Sequence, residues 1–349
     1  MSLTSVELIG CGALAESVYA PVLAHLERAG RIRVTAVMDP DSARAARLGK
    51  NFPGAQIAQR LEDLPPSPDG LAIIASPPSV HAQQACALLA AGRHVLCEKP
   101  LATSVAEANT MIAAARAGNR LLAAGMMRRF YPAAQALREG LAAPMLGEPV
   151  NVEVAEGGRF SWNAASPKFF ERSQGGVLLD LGSHVLDLLC HWFGEPAETT
   201  ASHDALGGTN TNALLTARWP TGCRARVRLS WDTPLETGWR ITATRGEWRW
   251  NGSPDDGLVL HPQNGNWRLH AIPQENSHPA APGGWMAAFV RQIENILGAI
   301  AENQKLLAPA EDVLPSLRWL EKAGQQAQLL PQLWLSPEEQ TQAAQLAKT

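Results

Sequence analysis

The sequence predicts an α/β fold in two parts: an N-terminal doubly wound parallel sheet, then a C-terminal α+β domain on a largely antiparallel sheet. Three observations carry this prediction. Short apolar strands alternate with helix-period stretches through the first half. From about residue 197 the rhythm changes to strands separated by turn signals. All 11 tryptophans lie at or after Trp162, whereas the first 128 residues hold none and are rich in alanine. At 349 residues the chain is also too long for one ordinary core. The expected domains are residues 1–127 and 128–349, with the C-terminal helices free to pack back on the first.

Each element has its own signal. Val6-Leu8-Ile9 reads as the first strand, and residues 13–29 as a helix with Leu14, Val18, Val22 and Leu26 at four-residue spacing. Strands at 34–38, 71–74, 94–97 and 120–124 alternate with helices at 42–50, 79–91 and 104–117. Such units imply a parallel sheet covered on both faces, joined by right-handed crossovers. A strand at 150–155, an irregular stretch to about Gly176 and a helix at 177–193 follow. Strands are then expected at 197–204, 213–219, 224–231, 239–244, 246–250, 258–261 and 267–272. Turns at Pro220-Thr221-Gly222, Arg245-Gly246 and Asp255-Asp256-Gly257 make them an antiparallel meander. Helices at 284–303 and 310–328 precede a last 25 residues, rich in Gln and Ala, that read as partly loose.

Composition excludes several classes. A net charge of -3 leaves no electrostatic footprint for nucleic acid or an acidic membrane surface. No uncharged apolar run approaches the ~20 residues of a membrane span. The N-terminus runs straight into a strand, without the basic and apolar regions of a signal peptide. Five scattered cysteines form no CxxC pair, so neither zinc nor a disulfide framework is expected, and a reducing cytoplasm fits.

Gly10-Cys11-Gly12-Ala13-Leu14-Ala15 fits GxGxx(G/A) between the first strand and first helix. The first glycine permits the tight turn, the second lets backbone approach a pyrophosphate, and a small third residue lets helix and strand pack closely. Helix N-terminal amides would receive the phosphates. Asp39 ends the second strand, 24 residues beyond Ala15, where a carboxylate accepts a ribose 2′-hydroxyl and repels a 2′-phosphate. The unit therefore predicts a Rossmann domain binding NAD, with NADP kept open by Arg44 and Arg47 nearby. Ser76 and Pro77 follow the third strand of the alternating series, where a stiff loop would lie along the cofactor. His81 in the next helical turn is either a cofactor contact or a plain first-turn residue.

Glu98-Lys99-Pro100 sits at another strand's carboxyl end, on the crevice edge. A lysine there is a usable proton donor and acceptor, although alone the tripeptide reads more readily as a surface ion pair at a strand end. Asp180 and His184 are i and i+4 on an apolar helix, with Asp187 near the same face. They are either a satisfied core pair or a proton relay, and no third ligand suggests a metal. Arg224, Arg226 and Arg228 line one face of an alternating strand. That face is solvated, or a subunit interface, or a site for an anionic nucleotide-linked substrate. The segment from Gly157 to Trp162, with Lys168-Phe169-Phe170, is a candidate roof over the substrate or cover for the core.

Together GCGALA, ASPPSVH, CEKPLA, GMMRRFYP and GGVLLDLGSHVLDLL, in this order over nearly the whole chain, resemble the Gfo/Idh/MocA oxidoreductases. The resemblance implies a C-terminal domain with an open-faced sheet that mediates dimers or tetramers. It implies Lys99 as the lysine of the EKP motif, Glu98 as the nicotinamide-side glutamate, and Asp180 and His184 as the pair on the catalytic helix. Met127 and Arg128, with Trp162, are the substrate-side candidates. The departure is Gln174, standing where relatives have a third glycine. The expected reaction is hydride transfer between nicotinamide C4 and a secondary hydroxyl or ketone of a sugar, nucleotide sugar or cyclitol. Lys99 and His184 are its acid–base groups, the division of labour between them left open. The competing readings are a glycoside hydrolase that uses NAD transiently and a non-catalytic NAD(P)-binding regulator.

Overall fold

The computed structural model describes residues 3–143, 145–161, 170, 175–205, 208–254, 257–264, 283–330 and 336–346. Trp162, Lys168, Phe169, Gln174 and the strand expected at 267–272 lie outside them. The chain forms two compact units. The first runs to Phe130 and includes residues 283–314; the second takes up from Tyr131 and again from Pro315.

In the first unit, β1 (Thr4–Ile9), β2 (Ile32–Met38), β3 (Gln56–Ala58), β4 (Leu71–Ile74), β5 (His94–Glu98) and β6 (Leu122–Gly125) make one parallel sheet. Its order is β3-β2-β1-β4-β5-β6, so the winding reverses between β1 and β4. That reversal opens a crevice at the strands' carboxyl ends. Every residue of β4, β5 and β6 is buried, which is why these strands read as unbroken apolar runs rather than alternations. Each buried Ile or Leu there contributes roughly 1.5–3 kcal/mol.

The crossovers are α1 (Ala20–Arg28), α2 (Ser42–Gly49), α3 (His81–Ala90) and α4 (Val105–Gly118). Asp41 caps α2 through the amides of Ala43 and Arg44, and Ser104 caps α4 through that of Glu107. The helix expected over 13–29 is not uniform. A π-helical turn, Ala15–Tyr19, precedes α1, and Pro21, with no N–H to donate, stands at the junction. After β6 a 3₁₀ turn, Met127–Phe130, ends the unit's first stretch.

The second unit contains α5 (Pro132–Ala142), β7 (Pro149–Gly157), α6 (Ser183–Phe193), β8 (Glu198–His203), β9 (Asn212–Arg218), β10 (Arg224–Ser230), β11 (Gly238–Ala243), β12 (Gly246–Trp250) and β13 (Val259–Pro262). Its sheet is mixed, not the simple meander that the turns suggest. The order is β13-β12-β11-β7-β10-β9-β8, so β7 lies between β11 and β10 and runs parallel to β10. Turn residues determine only the local hairpins; the insertion of β7 is a long-range pairing. Tryptophans line the buried side. Trp239 meets Trp192 of α6 with ring centroids 5.2 Å apart, and Trp239 and Trp250 are 5.8 Å apart.

Late in the chain, α7 (Met286–Glu302) belongs to the first unit, where it packs on α1 and on the Met127–Phe130 turn. Arg291 donates to the Phe130 carbonyl at 2.9 Å, and Phe289 meets the Tyr19 ring edge-on at 5.4 Å. The helix expected at 310–328 is a 3₁₀ turn, Ala310–Val313, followed by α8 (Leu314–Gln326). The tail is more regular than its composition suggests. The short strand β14 (Gln328–Leu329) pairs parallel with β8, and α9 (Pro337–Leu346) follows.

Candidate active site

In the first unit the predicted cofactor residues converge on the carboxyl ends of β1, β2, β4 and β5. Gly10 turns at φ +93, and a Cβ there would stand 2.7 Å from the Ser76 amide nitrogen. Only glycine lets the Gly10–Ala15 turn lie against the loop after β4. Cys11 is fully buried, and burial, aided by the nearby Asp39 carboxylate, pushes its thiol up to about 12, so it carries no thiolate chemistry. Its backbone amide donates to Asp39 Oδ2 at 2.8 Å, while Asp41 N donates to Asp39 Oδ1 at 2.9 Å. Each Asp39 oxygen keeps a lone pair for a further donor. The two cations of α2 are engaged by acids: Arg47 with Glu16, and Arg44 with Asp41. The glycine cradle and the preset carboxylate fit a dinucleotide.

Ser76 and Pro77 form the loop after β4, and Ser76 Oγ donates to Gln84 Oε1 at 2.5 Å. His81 is fully buried at the start of α3. Its ring nitrogens lie 2.9 Å from the Ser76 carbonyl oxygen and 3.0 Å from that of Pro100. The imidazole thus joins the loop after β4 to the turn after β5. Burial pulls its pKa below the usual imidazole range. The Lys99-Pro100 peptide is cis, and Lys99 is half-buried just past the end of β5. Glu98 is buried. One oxygen accepts from the Tyr19 hydroxyl at 2.6 Å and the other from the Lys99 amide at 3.0 Å. Burial raises its pKa, and the Tyr19 bond opposes that.

Tyr19 and Gly125 were not singled out in the sequence. Gly125 faces Glu98 so closely that a Cβ would stand 2.8 Å from Glu98 Cα. Tyr19 carried a faint signal, as one of only two tyrosines, on the apolar face of the first helix. Met127 is buried and Arg128 half-buried in the 3₁₀ turn after β6.

Asp180, His184 and Asp187 belong to the second unit. A π turn, Leu178–Gly182, carries Asp180, and His184 follows in the first turn of α6. The face-sharing expected of a regular helix is therefore altered by the wider turn. Trp231 Nε1 donates to Asp180 Oδ2 at 3.3 Å. Phe160 lies against the Trp231 ring with centroids 4.7 Å apart, which brings part of the expected roof segment beside Asp180's partner. Asp187 is buried. Asn210, missed in the sequence, anchors the start of this helix. Its side-chain oxygen accepts from Leu178 N at 3.0 Å and its carbonyl from Val177 N at 2.9 Å. Among the described residues no group of three or more His, Cys, Asp or Glu is arranged to hold a metal.

A glycine-turn crevice with a strand-end carboxylate, followed by a second unit on a mixed sheet, defines a dinucleotide-binding protein of the Rossmann class. The chain belongs to the Gfo/Idh/MocA oxidoreductase family. Residues 4–126 match its model for the oxidoreductase family, NAD-binding Rossmann fold, and residues 134–249 match a GFO/IDH/MocA C-terminal domain. It is similar to 1,5-anhydro-D-fructose reductase of Ensifer adhaerens, 29% identical over 61% of this chain and 66% of that one. It is also similar to mouse (Mus musculus) trans-1,2-dihydrobenzene-1,2-diol dehydrogenase, 30% identical over 61% and 65% respectively. The chain thus spans just under two thirds of these relatives' length. An Agrobacterium radiobacter oxidoreductase, solved with NAD+, L-tartaric acid and magnesium, shares the fold. Its TM-score is 0.80 at 21% identity, covering 93% of this chain and 96% of that one.

Proposed function

We propose that this chain is an NAD-dependent dehydrogenase or ketoreductase, acting on a secondary hydroxyl or ketone of a sugar, nucleotide sugar or cyclitol. The observation that carries the reading is Lys99, half-buried at the carboxyl end of β5 beside a buried glutamate, on the rim of the dinucleotide crevice. The named relatives support the substrate class, since both are named for redox chemistry at carbon–oxygen centres. Gly10 to Ala15 would hold the pyrophosphate, Asp39 the adenosine ribose, and Ser76, Pro77 and Glu98 the remainder of the dinucleotide. When bound, the nicotinamide supplies the hydride acceptor or donor.

The protein's own groups handle the proton. In the oxidative direction the substrate carbon loses a hydride and its hydroxyl loses a proton. In the first unit, the Lys99 ammonium donates a hydrogen bond to that oxygen and favours its negative charge; in the second, His184 is the candidate acid–base group and Asp180 its candidate orienting partner. Met127, Arg128 and Trp162 are assigned to the substrate side. Replacing Lys99 by Ala should lower kcat by roughly 10²–10³-fold while leaving the NADH Kd within about twofold, a loss confined to stabilising the charge on the substrate oxygen. A Lys99→Ala enzyme with wild-type kcat, in a screen of sugars and cyclitols followed as NADH, would refute the role.

The exposed face of the second sheet is proposed as a self-association surface for a homodimer or homotetramer. Arg224, Arg226 and Arg228 are exposed on it, while Glu153, Glu198 and Glu247 share it. Such a face carries both signs and can complement a second copy of itself. Five free cysteines favour a reducing compartment, the cytoplasm.

A further inference from the structure

We propose that Tyr19 is a positioning residue that holds the Glu98 carboxylate in the orientation that receives the nicotinamide end of the dinucleotide. The inference rests on the reading of Glu98 as a nicotinamide-side residue.

Tyr19 is fully buried, and its hydroxyl donates to Glu98 Oε1 at 2.6 Å. The second carboxylate oxygen accepts from the Lys99 amide at 3.0 Å. Gly125 closes the space behind Glu98, with a Cβ there only 2.9 Å from Glu98 Cδ. The tyrosine ring is itself held. Phe289 meets it edge-on at 5.4 Å and 85°, and Trp285 stands against Phe289 at 5.8 Å. The carboxylate is thus gripped at both oxygens and from behind, yet a carboxylate offers about four lone-pair sites and two are left. Those remaining sites suit an N–H donor, and a primary carboxamide such as that of nicotinamide supplies one.

A purely structural role explains this poorly. Burying a carboxylate is costly, and an apolar pair would fill the same volume more cheaply. The tyrosine also comes from the last position of a π turn, Ala15–Tyr19, that directly follows the phosphate cradle. Single π turns inside helices recur at functional sites. One short segment therefore carries both the phosphate-binding backbone and the group that orients the carboxylate of β5.

The test needs no substrate. Kd is measured for NADH and for ADP-ribose, which lacks the nicotinamide, on the full chain and on Tyr19→Phe, Glu98→Gln and the double variant. Thermal unfolding reports whether each is folded. Tyr19→Phe keeps the ring on Phe289 and removes one hydrogen bond to a charged group. It should weaken NADH binding about tenfold or more and leave ADP-ribose within about twofold. In the Glu98→Gln background the same change should have little further effect. Unchanged NADH affinity in Tyr19→Phe, or equal loss of both ligands, overturns the proposal. If Glu98→Gln loses NADH selectively but Tyr19→Phe does not, only the tyrosine's role fails. If Glu98→Gln binds both ligands normally, the underlying reading of Glu98 fails and takes the proposal with it.

Discussion

His81 is the residue whose burial has the plainest thermodynamic consequence. It is fully buried, and burial lowers its pKa, with the carbonyls of Ser76 and Pro100 opposing that shift. His94 is lowered too, first by burial and then by the Arg120 charge. In the unfolded chain both titrate near 6.5. Between the depressed folded pKa and that value the unfolded state binds more protons, so stability falls as pH drops below about 6.5. Glu7 and Glu98, raised by burial, act with the opposite sign, losing stability as pH rises above the ordinary carboxylate range. A comparison with a variant therefore isolates the histidine. The Tm of the wild type should fall more steeply than that of His81→Asn between pH 7.5 and 5.5; parallel slopes in thermal melts would contradict it. At this scale the glycine motif and Asp39 are legible because each has a residue type and a spacing that local geometry demands, whereas Glu98 and Lys99 stand out only through the family resemblance. Tyr19, Gly125 and Asn210 are not legible, because their roles come from partners 79, 27 and 32 positions away.

If Asp39 receives the adenosine ribose as proposed, the end of β2 and the start of α2 together decide which dinucleotide the crevice accepts. Asp39 is set by two backbone amides, and the nearby cations Arg44 and Arg47 are already engaged by Asp41 and Glu16. A 2′-phosphate would meet a carboxylate and no uncommitted cation of this helix, so NADH should bind at least about tenfold more tightly than NADPH. Equilibrium titration with both cofactors measures this, and tighter binding of NADPH would reverse the assignment. Elements with an unbroken apolar run or an apolar face at helical spacing are read directly, as with β4, β5 and α1. Both π turns were invisible, since a wider turn leaves the apolar spacing nearly unchanged over five residues. The short β3 and β14 have too few residues to show a period. The tail helix α9 was masked by a composition that is polar nearly all round.

For the molecule as a whole, the exposed sheet face is the feature with a measurable consequence. Arg226 lies beside Thr216 on one neighbouring strand and Glu153 on the other, near the middle of that face. If the face joins two copies, Arg226→Glu should place like charges together and shift the protein toward monomer in light scattering at micromolar concentration, with the Tm little changed. An unaltered mass would remove the face from the assembly. The alternation of parallel strands with helices in the first unit and the burial of that sheet follow from the sequence alone. They rest on local rules: side-chain period, turn residues and the conformational freedom of glycine. The tertiary structure alone decided that β7 enters the sheet beside β10, that α7 packs on α1, and that Tyr19 meets Glu98. Each of those depends on contacts between residues distant in the chain, whose free energy exists only once the intervening segments have folded.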